Sequence, residues 1–166
     1  MSEHIHIHHF DNIDHEAVLA KCRSQIDQGL VTKQSQYVVV YNSFMNQNLP
    51  HELMPHNWEE LSPVVEYMNS YTGSTEYVQS WFNFMHKDSE ITIHNHPRAK
   101  NYTAVYYVLT LDSHPPFEYI VNPGPDEQVY VLHPQPGDLY IFDKNLHHRV
   151  GKQLVDDLRC TIPFSI

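Results

Sequence analysis

ITIHNHPRAKNYTAVYYV, residues 91–108, decides how this chain is read. Glu90, Thr92 and His94 alternate with Ile91 and Ile93, the period-two pattern of a strand with one polar and one apolar face. Two histidines one residue apart, His94 and His96, stand at its end. Side chains at i and i+2 point the same way from Cα atoms roughly 7 Å apart. Imidazoles so placed can reach one metal ion, since metal–nitrogen bonds are only about 2.0–2.1 Å. Pro97, with no N–H to give, stops the ladder. After a short polar loop, residues 102–110 form a second strand.

On either side of this pair, from Glu76 onward, short strands follow one another. They are predicted at 76–86, 90–95, 102–111, 117–122, 128–133, 138–143, 147–151 and 158–165. Turn signals separate them, among them Pro115-Pro116, the Asn-Pro-Gly-Pro run at 122–125 and Pro136-Gly137. Many short strands with proline-rich turns indicate a sandwich or barrel. There is no βαβ rhythm, glycine-rich phosphate loop, internal repeat or dividing linker.

The first 75 residues read differently. HIHIHHF at 4–10 alternates like a half-exposed edge strand, and no glycine turn gathers its rings round an ion. Residues 14–29 carry a helical apolar stripe of Ala17, Val18, Cys22 and Ile26, with Asp14 as cap and Gly29 as terminator. YVVVYNSF, 37–44, reads as a buried strand. A second helix is expected from Asn57 or Trp58 to Met68, with Asn57 as cap and Pro63 as a kink or a new start. The expectation is one α+β domain, residues 1–166, in which 1–75 support a β-rich core at 76–166.

Composition narrows the function. A chain of 166 residues with 41% hydrophobic and 18% charged residues buries a real core. A formal charge of −10 argues against a duplex nucleic-acid partner, whose phosphates demand a basic face. No apolar run approaches the roughly 20 residues of a membrane helix, and no signal-peptide layout opens the chain. Cys22 and Cys160 form no metal or redox motif, so a reducing cytoplasmic setting is expected. Oligomeric state has no signature here.

A distal histidine lies in PGDLYIFDKNLHHRV, residues 136–150, where His147 and His148 open a strand. Neighbours on a strand face opposite sides, so one of the two points into a given site. Eleven residues after His148 comes Arg159, in an otherwise apolar terminal strand. A buried guanidinium there needs a partner, and Asp156, Asp157 or another acid are the candidates.

Taken together, His-x-His on one strand, Tyr106-Tyr107 on the next, a distal His and a following Arg resemble the Fe(II)/2-oxoglutarate oxygenases. The resemblance is to the small prolyl-hydroxylase-like branch and related bacterial and phage oxygenases, and spans about residues 76–166. WFNFMHKDSEITIHNHP, 81–97, is similar to the segment leading into the first ligand pair. TAVYYV, 103–108, is similar to the co-substrate strand. The resemblance implies a double-stranded β-helix (a jelly roll, cupin-like) with N-terminal supporting helices. It implies Fe(II) held by His94, His96 and His148, with Arg159 and Tyr107 on the distal carboxylate of 2-oxoglutarate. O2 is the second co-substrate, ascorbate a stimulant, and the substrate a peptide or protein side chain or a small metabolite.

The chain departs from that family at one position. The usual first motif is His-x-Asp or His-x-Glu, whereas this one is His94-Asn95-His96. Three histidines carry one less negative charge, though imidazole suits iron. Glu90, on the same strand face, is a remote substitute. The rival reading is a metal-binding cupin that uses no 2-oxoglutarate, but cupins carry a glutamate where this chain has Arg98, Ala99 and Lys100. A third is a non-catalytic jelly-roll binding module. Trp81, Phe82 and Phe84 are read as core, Asn83 and Arg98 as pocket or turn residues, and His147 as facing away.

Overall fold

Successive residues of a strand point to opposite faces, which sorts the side chains of the central strands between two cores. The computed structural model describes residues 4–166. Its strands are β1 (Ile5–His9), β2 (Lys33–Tyr37), β3 (Val40–Phe44), β4 (Gln79–Ser80), β5 (Asn83–His94), β6 (Tyr102–Leu109), β7 (Phe117–Val121), β8 (Gln128–Leu132), β9 (Asp138–Asp143), β10 (His147–Val150) and β11 (Arg159–Ser165). The helices are α1 (His15–Asp27) and α2 (Ser62–Thr72). One layer runs β1-β9-β6-β11-β5, the other β5-β10-β7-β8, with antiparallel pairing throughout. This is the double-stranded β-helix with supporting helices. No helix among the described residues is long and apolar enough to cross a membrane.

β5 belongs to both layers because it bends. Its first part pairs with β11, Asn83 opposite Thr161 and Met85 opposite Arg159. Its last part pairs with β10, His94 opposite His148. Between them Asp88 takes φ 71°, a left-handed conformation that ordinary strands exclude. The buried Ser89 hydroxyl accepts the His86 N–H at 2.8 Å and donates to Asn42 O at 2.6 Å. Gln153 exchanges backbone hydrogen bonds with Asp88 and Ser89, both 2.8 Å. The bend's polar groups are therefore paired inside the fold.

Outside the first layer lies the helical core. Ala104, Tyr106 and Val108 of β6, Leu139 and Ile141 of β9, and Cys160, Ile162 and Phe164 of β11 meet Val18 and Cys22 of α1 and Val64 and Met68 of α2. The alternate residues Tyr107, Tyr140 and Phe142 face inward against Phe117 and Tyr119 of the second layer. α1 matches its expected limits, with Asp14 Oδ1 accepting the Ala17 N–H at 3.0 Å. Cys22 and Cys160, remote in sequence, are buried neighbours. Burial pushes the Cys22 thiol up, and the hydrogen-bonded Cys160 thiol adds to this.

Three expectations need correction. Residues 37–44 are not one buried strand. Val38, 72% exposed with φ 53°, turns β2 into β3, and a valine where glycine or asparagine is usual leaves no turn signal to read. The second helix begins later and runs further. Three 3-10 turns occupy His51–Leu53, Pro55–Asn57 and Glu59–Leu61, and Pro63 then sits in the first turn of α2, where its missing N–H costs nothing. Asn57 does not cap it, because its side-chain amide donates to His51 O at 2.6 Å. Finally, 76–86 and 90–95 are not two separate strands, because residues 83–94 are the single bent β5.

His56, in one of these turns, stacks on Tyr77 at 4.8 Å and 10°, with Nδ1 2.6 Å from Ser80 Oγ. Burial, with His51 alongside, pushes its imidazole down from 6.5 to about 4. The unfolded chain takes up this proton near pH 6.5 and the folded chain only near pH 4. The unfolded state therefore binds more protons in that window, and stability falls as pH drops through it. Tm followed against pH is expected to decline less steeply below pH 6.5 in His56→Gln than in the parent, and parallel curves would contradict this.

Candidate metal centre and its pocket

Three histidines converge where β5 ends. His94 is its last residue and His148 lies directly opposite on β10, with ring centroids 4.3 Å apart. His96 is already beyond the strand. Its backbone N–H donates to Lys144 O at 2.9 Å, which ties it to the turn that leads into β10. That turn is closed by Asp143, whose side chain accepts the Asn145 N–H at 2.7 Å. It also supplies Leu146 O, which accepts from His148 Nδ1 at 2.9 Å. One turn thus positions two of the three rings.

The rings are set up as ligands. His94 Nδ1 donates to Thr92 O at 2.7 Å, so with His148 it keeps its proton on Nδ1 and turns an unprotonated Nε2 to the site. His96 Nε2 and His148 Nε2 are 3.2 Å apart, and the available nitrogens of all three lie within 4.8 Å of one another. Two bonds of about 2.1 Å to one ion span at most roughly 4.2 Å. Small ring movements therefore close the set. Burial drives all three pKa values down, His96 to about 3 with His94 adding, and His148 well below the usual range. Neutral rings do not make a metal compete with protons near pH 7.

Behind them is a pocket of 460 Å³ that also takes in Tyr107 and Arg159. Arg159 is 1% exposed, and its Nε and Nη2 have no hydrogen-bond partner. Nη1 reaches only Met85 Sδ at 3.8 Å, and Cζ lies 5.7 Å from the Tyr107 ring centroid. Among the described residues no carboxylate pairs with it, so the expected alternatives Asp156 and Asp157 are not its partners. Burial lowers its pKa, and the Tyr107 and Tyr140 hydroxyls oppose the shift. Burial also pushes the Tyr107 phenol up, so it stays a proton donor.

No family model matches the chain, and no curated protein matches it by sequence. Solved structures do. A Pseudomonas putida prolyl-4-hydroxylase superposes with TM-score 0.71 at 15% identity, covering 98% of this chain and 93% of its own. The α-ketoglutarate-dependent carbocyclase SnoK of nogalamycin biosynthesis gives 0.73 at 10%, covering 96% and 78%. A Trichoplax adhaerens prolyl hydroxylase, solved with a hypoxia inducible factor peptide fragment, gives 0.67 at 11%, covering 98% and 83%. The chain shares the double-stranded β-helix fold of these proteins. In that fold the two layers face one another and the histidine cluster sits between them, at the end of β5.

All five residues singled out from the sequence, His94, His96, His148, Tyr107 and Arg159, line this one pocket. Glu90 does not line it but pairs with Tyr41 of β3, and His147 is also outside. Trp81, read as core, is buried yet forms part of the pocket wall. Thr161, which drew no comment in the sequence, lines it as well. Period two along β11 was the available signal, since it puts Thr161 on the face of Arg159. The wall formed by Val38, Val39 and Val40 had no such signal, because it depends on the unrecognised hairpin.

A lone buried cation destabilises the ligand-free fold. Arg159→Met is therefore expected to hold or raise the Tm of the metal-free protein, about 1 kcal/mol corresponding to roughly 2–4 °C in a chain of this size. A marked fall in Tm in a thermal melt would mean that the guanidinium has a stabilising partner.

Proposed function

We propose that this chain is an Fe(II)- and 2-oxoglutarate-dependent dioxygenase that hydroxylates a peptide or protein side chain or a small metabolite. The carrying observation is Arg159, a buried guanidinium with two unpartnered nitrogens in the same pocket as three converging neutral imidazoles. A carboxylate is the ligand whose two oxygens match that fork. The donor set and the orphaned guanidinium together fit an iron ion with a dicarboxylate co-substrate. His94, His96 and His148 would hold the metal, and Arg159 and Tyr107 the distal carboxylate of 2-oxoglutarate. Once bound, Fe(II), 2-oxoglutarate and O2 supply the oxidation of an unactivated C–H bond, with succinate and CO2 as co-products.

The chain's own residues orient and dehydrate. The Thr92 and Leu146 carbonyls hold two rings with Nε2 forward. Phe117 stacks on His148 at 5.6 Å and Phe142 meets its edge at 4.9 Å, which keeps water from that ligand. Low local dielectric strengthens the Arg159–carboxylate attraction. With no acidic ligand the metal keeps its full double charge, which favours a dianionic co-substrate over a neutral one. The prolyl hydroxylases among the solved structures support a peptide side chain as substrate, and SnoK supports a small metabolite.

The three-histidine set also favours a second reading, a metal-dependent cupin-type enzyme that uses no 2-oxoglutarate. Incubation with Fe(II), ascorbate, O2 and 2-oxoglutarate separates the two. Succinate is expected, and iron bound without any succinate or 2-oxoglutarate uptake would favour the cupin. His148→Ala is expected to lose its iron, because two imidazoles chelate poorly; unchanged iron by elemental analysis would move the ligand elsewhere. Arg159→Ala is expected to keep its iron and raise the 2-oxoglutarate requirement about tenfold or more. An unaltered requirement would remove Arg159 from the co-substrate site.

A further inference from the structure

The assignment of Arg159 to the co-substrate leaves the pocket with further unused polar groups, and two that can donate to an anion, Trp81 and Arg98, flank His96. Trp81 is 4% exposed, and its indole Nε1 is buried with no hydrogen-bond partner. Its ring centroid lies 6.2 Å from that of His96. Arg98 follows His96 by two residues in a tight turn, where the Ala99 N–H donates to His96 O at 3.1 Å. It lines the pocket from the exposed side and makes no ion pair among the described residues.

The charge pattern is selective. The chain has 20 acidic against 10 basic residues, yet among the described residues no Asp or Glu lines the pocket, and the permanent charges there are Arg98 and Arg159. In a molecule of formal charge −10 the pocket is a positive enclave, which draws anions and repels cations. The wall beside Trp81 is apolar, formed by Val40, Met45 and Ile91. An unpaired buried N–H is costly and calls for an acceptor.

We infer that the substrate carries a carboxylate on an otherwise apolar framework, and that Trp81 Nε1–H and the Arg98 guanidinium bind this carboxylate beside the metal ligand His96. The inference rests on the oxygenase reading, which occupies Arg159 with 2-oxoglutarate and leaves this pair for the second ligand. The carboxylate belongs either to a free acid or to an acidic side chain in a peptide. Both sources present the same oxygens to the same donors.

Matched probes test it. N-acetyl-L-leucine is compared with N-acetyl-L-leucinamide, and an end-blocked Leu-Asp-Leu peptide with its Leu-Asn-Leu counterpart. Binding is followed by tryptophan fluorescence and by Tm, anaerobically, with and without Fe(II) and 2-oxoglutarate. In at least one arm the acid is expected to bind about tenfold or more tightly than its amide, since only the acid makes a charge-assisted bond to Arg98. Which arm shows the preference identifies the source. Arg98→Gln is expected to abolish it, and Trp81→Phe to weaken binding of the acid severalfold. Iron content and the visible absorption band of Fe(II) with 2-oxoglutarate should be unchanged in Arg98→Gln. The inference is overturned if acid and amide bind alike, if no acid binds at millimolar concentration, or if the preference survives in Arg98→Gln. An Arg98-dependent preference in protein that takes up no 2-oxoglutarate supports the subsite and sinks the co-substrate assignment alone.

Discussion

The bend of β5 at Asp88 is the constraint on which the site depends. A straight strand of twelve residues would stay in one layer and carry His94 away from β10. With the left-handed residue at 88, the strand leaves β11 and joins β10, and His94 arrives opposite His148. Such a conformation is tolerable only if its freed polar groups are paired. Ser89, Asn42 and Gln153 pair them from three separate parts of the chain. The same bend gives β3 a partner on both sides of the break, with Ser43 opposite Met85 and Tyr41 opposite Glu90. The hairpin that walls the pocket is thereby anchored to the strand that carries the first ligand.

The pocket keeps two kinds of unfinished chemistry apart. Three imidazoles are neutral, two of them held by backbone carbonyls, so they are ready for a cation. A guanidinium deeper in the same space is charged and lacks an acceptor, so it is ready for an anion. The isolated fold is less stable for both, since buried lone charges and unpaired donors cost free energy that a ligand restores. A dicarboxylate that touches the metal at one end and Arg159 at the other would resolve both at once. The absence of acidic residues from the wall prevents an internal ion pair from doing so first.

Much of this was legible in local pattern. The run of short strands from residue 76 onward was legible from its apolar segments and proline-rich turns. But β6 and β11 are apolar on both faces, so only the structure shows Val105, Tyr107, Arg159 and Thr161 on the pocket and Ala104, Tyr106, Cys160 and Ile162 under the helices. Asp14 and Gly29 marked α1 because capping is a local matter of one side chain and one left-handed residue. The Val38 turn was not legible, because valine at positive φ is held by pairing of its flanking strands and leaves no turn residue in the sequence. Nor was the placement of His96. The i, i+2 argument set it on the strand with His94, whereas it sits past the strand end and is held by Lys144, 48 positions away in the chain.

Sequence alone determined the strand-rich core, the edge strand at the start and the first helix, which follow from periodicity, caps and residue type acting over a few neighbouring positions. The five residues that line the pocket were singled out through the family resemblance that their order carries. Only the tertiary structure decided that the three rings share one centre and that Arg159 has no carboxylate. It also decided that Trp81, a core residue packed against Val40 and Met45, borders the pocket as well and keeps an unpaired N–H. Those are facts about which distant segments meet, and pairing between strands far apart in the chain is set by the whole sheet, not by any stretch read on its own.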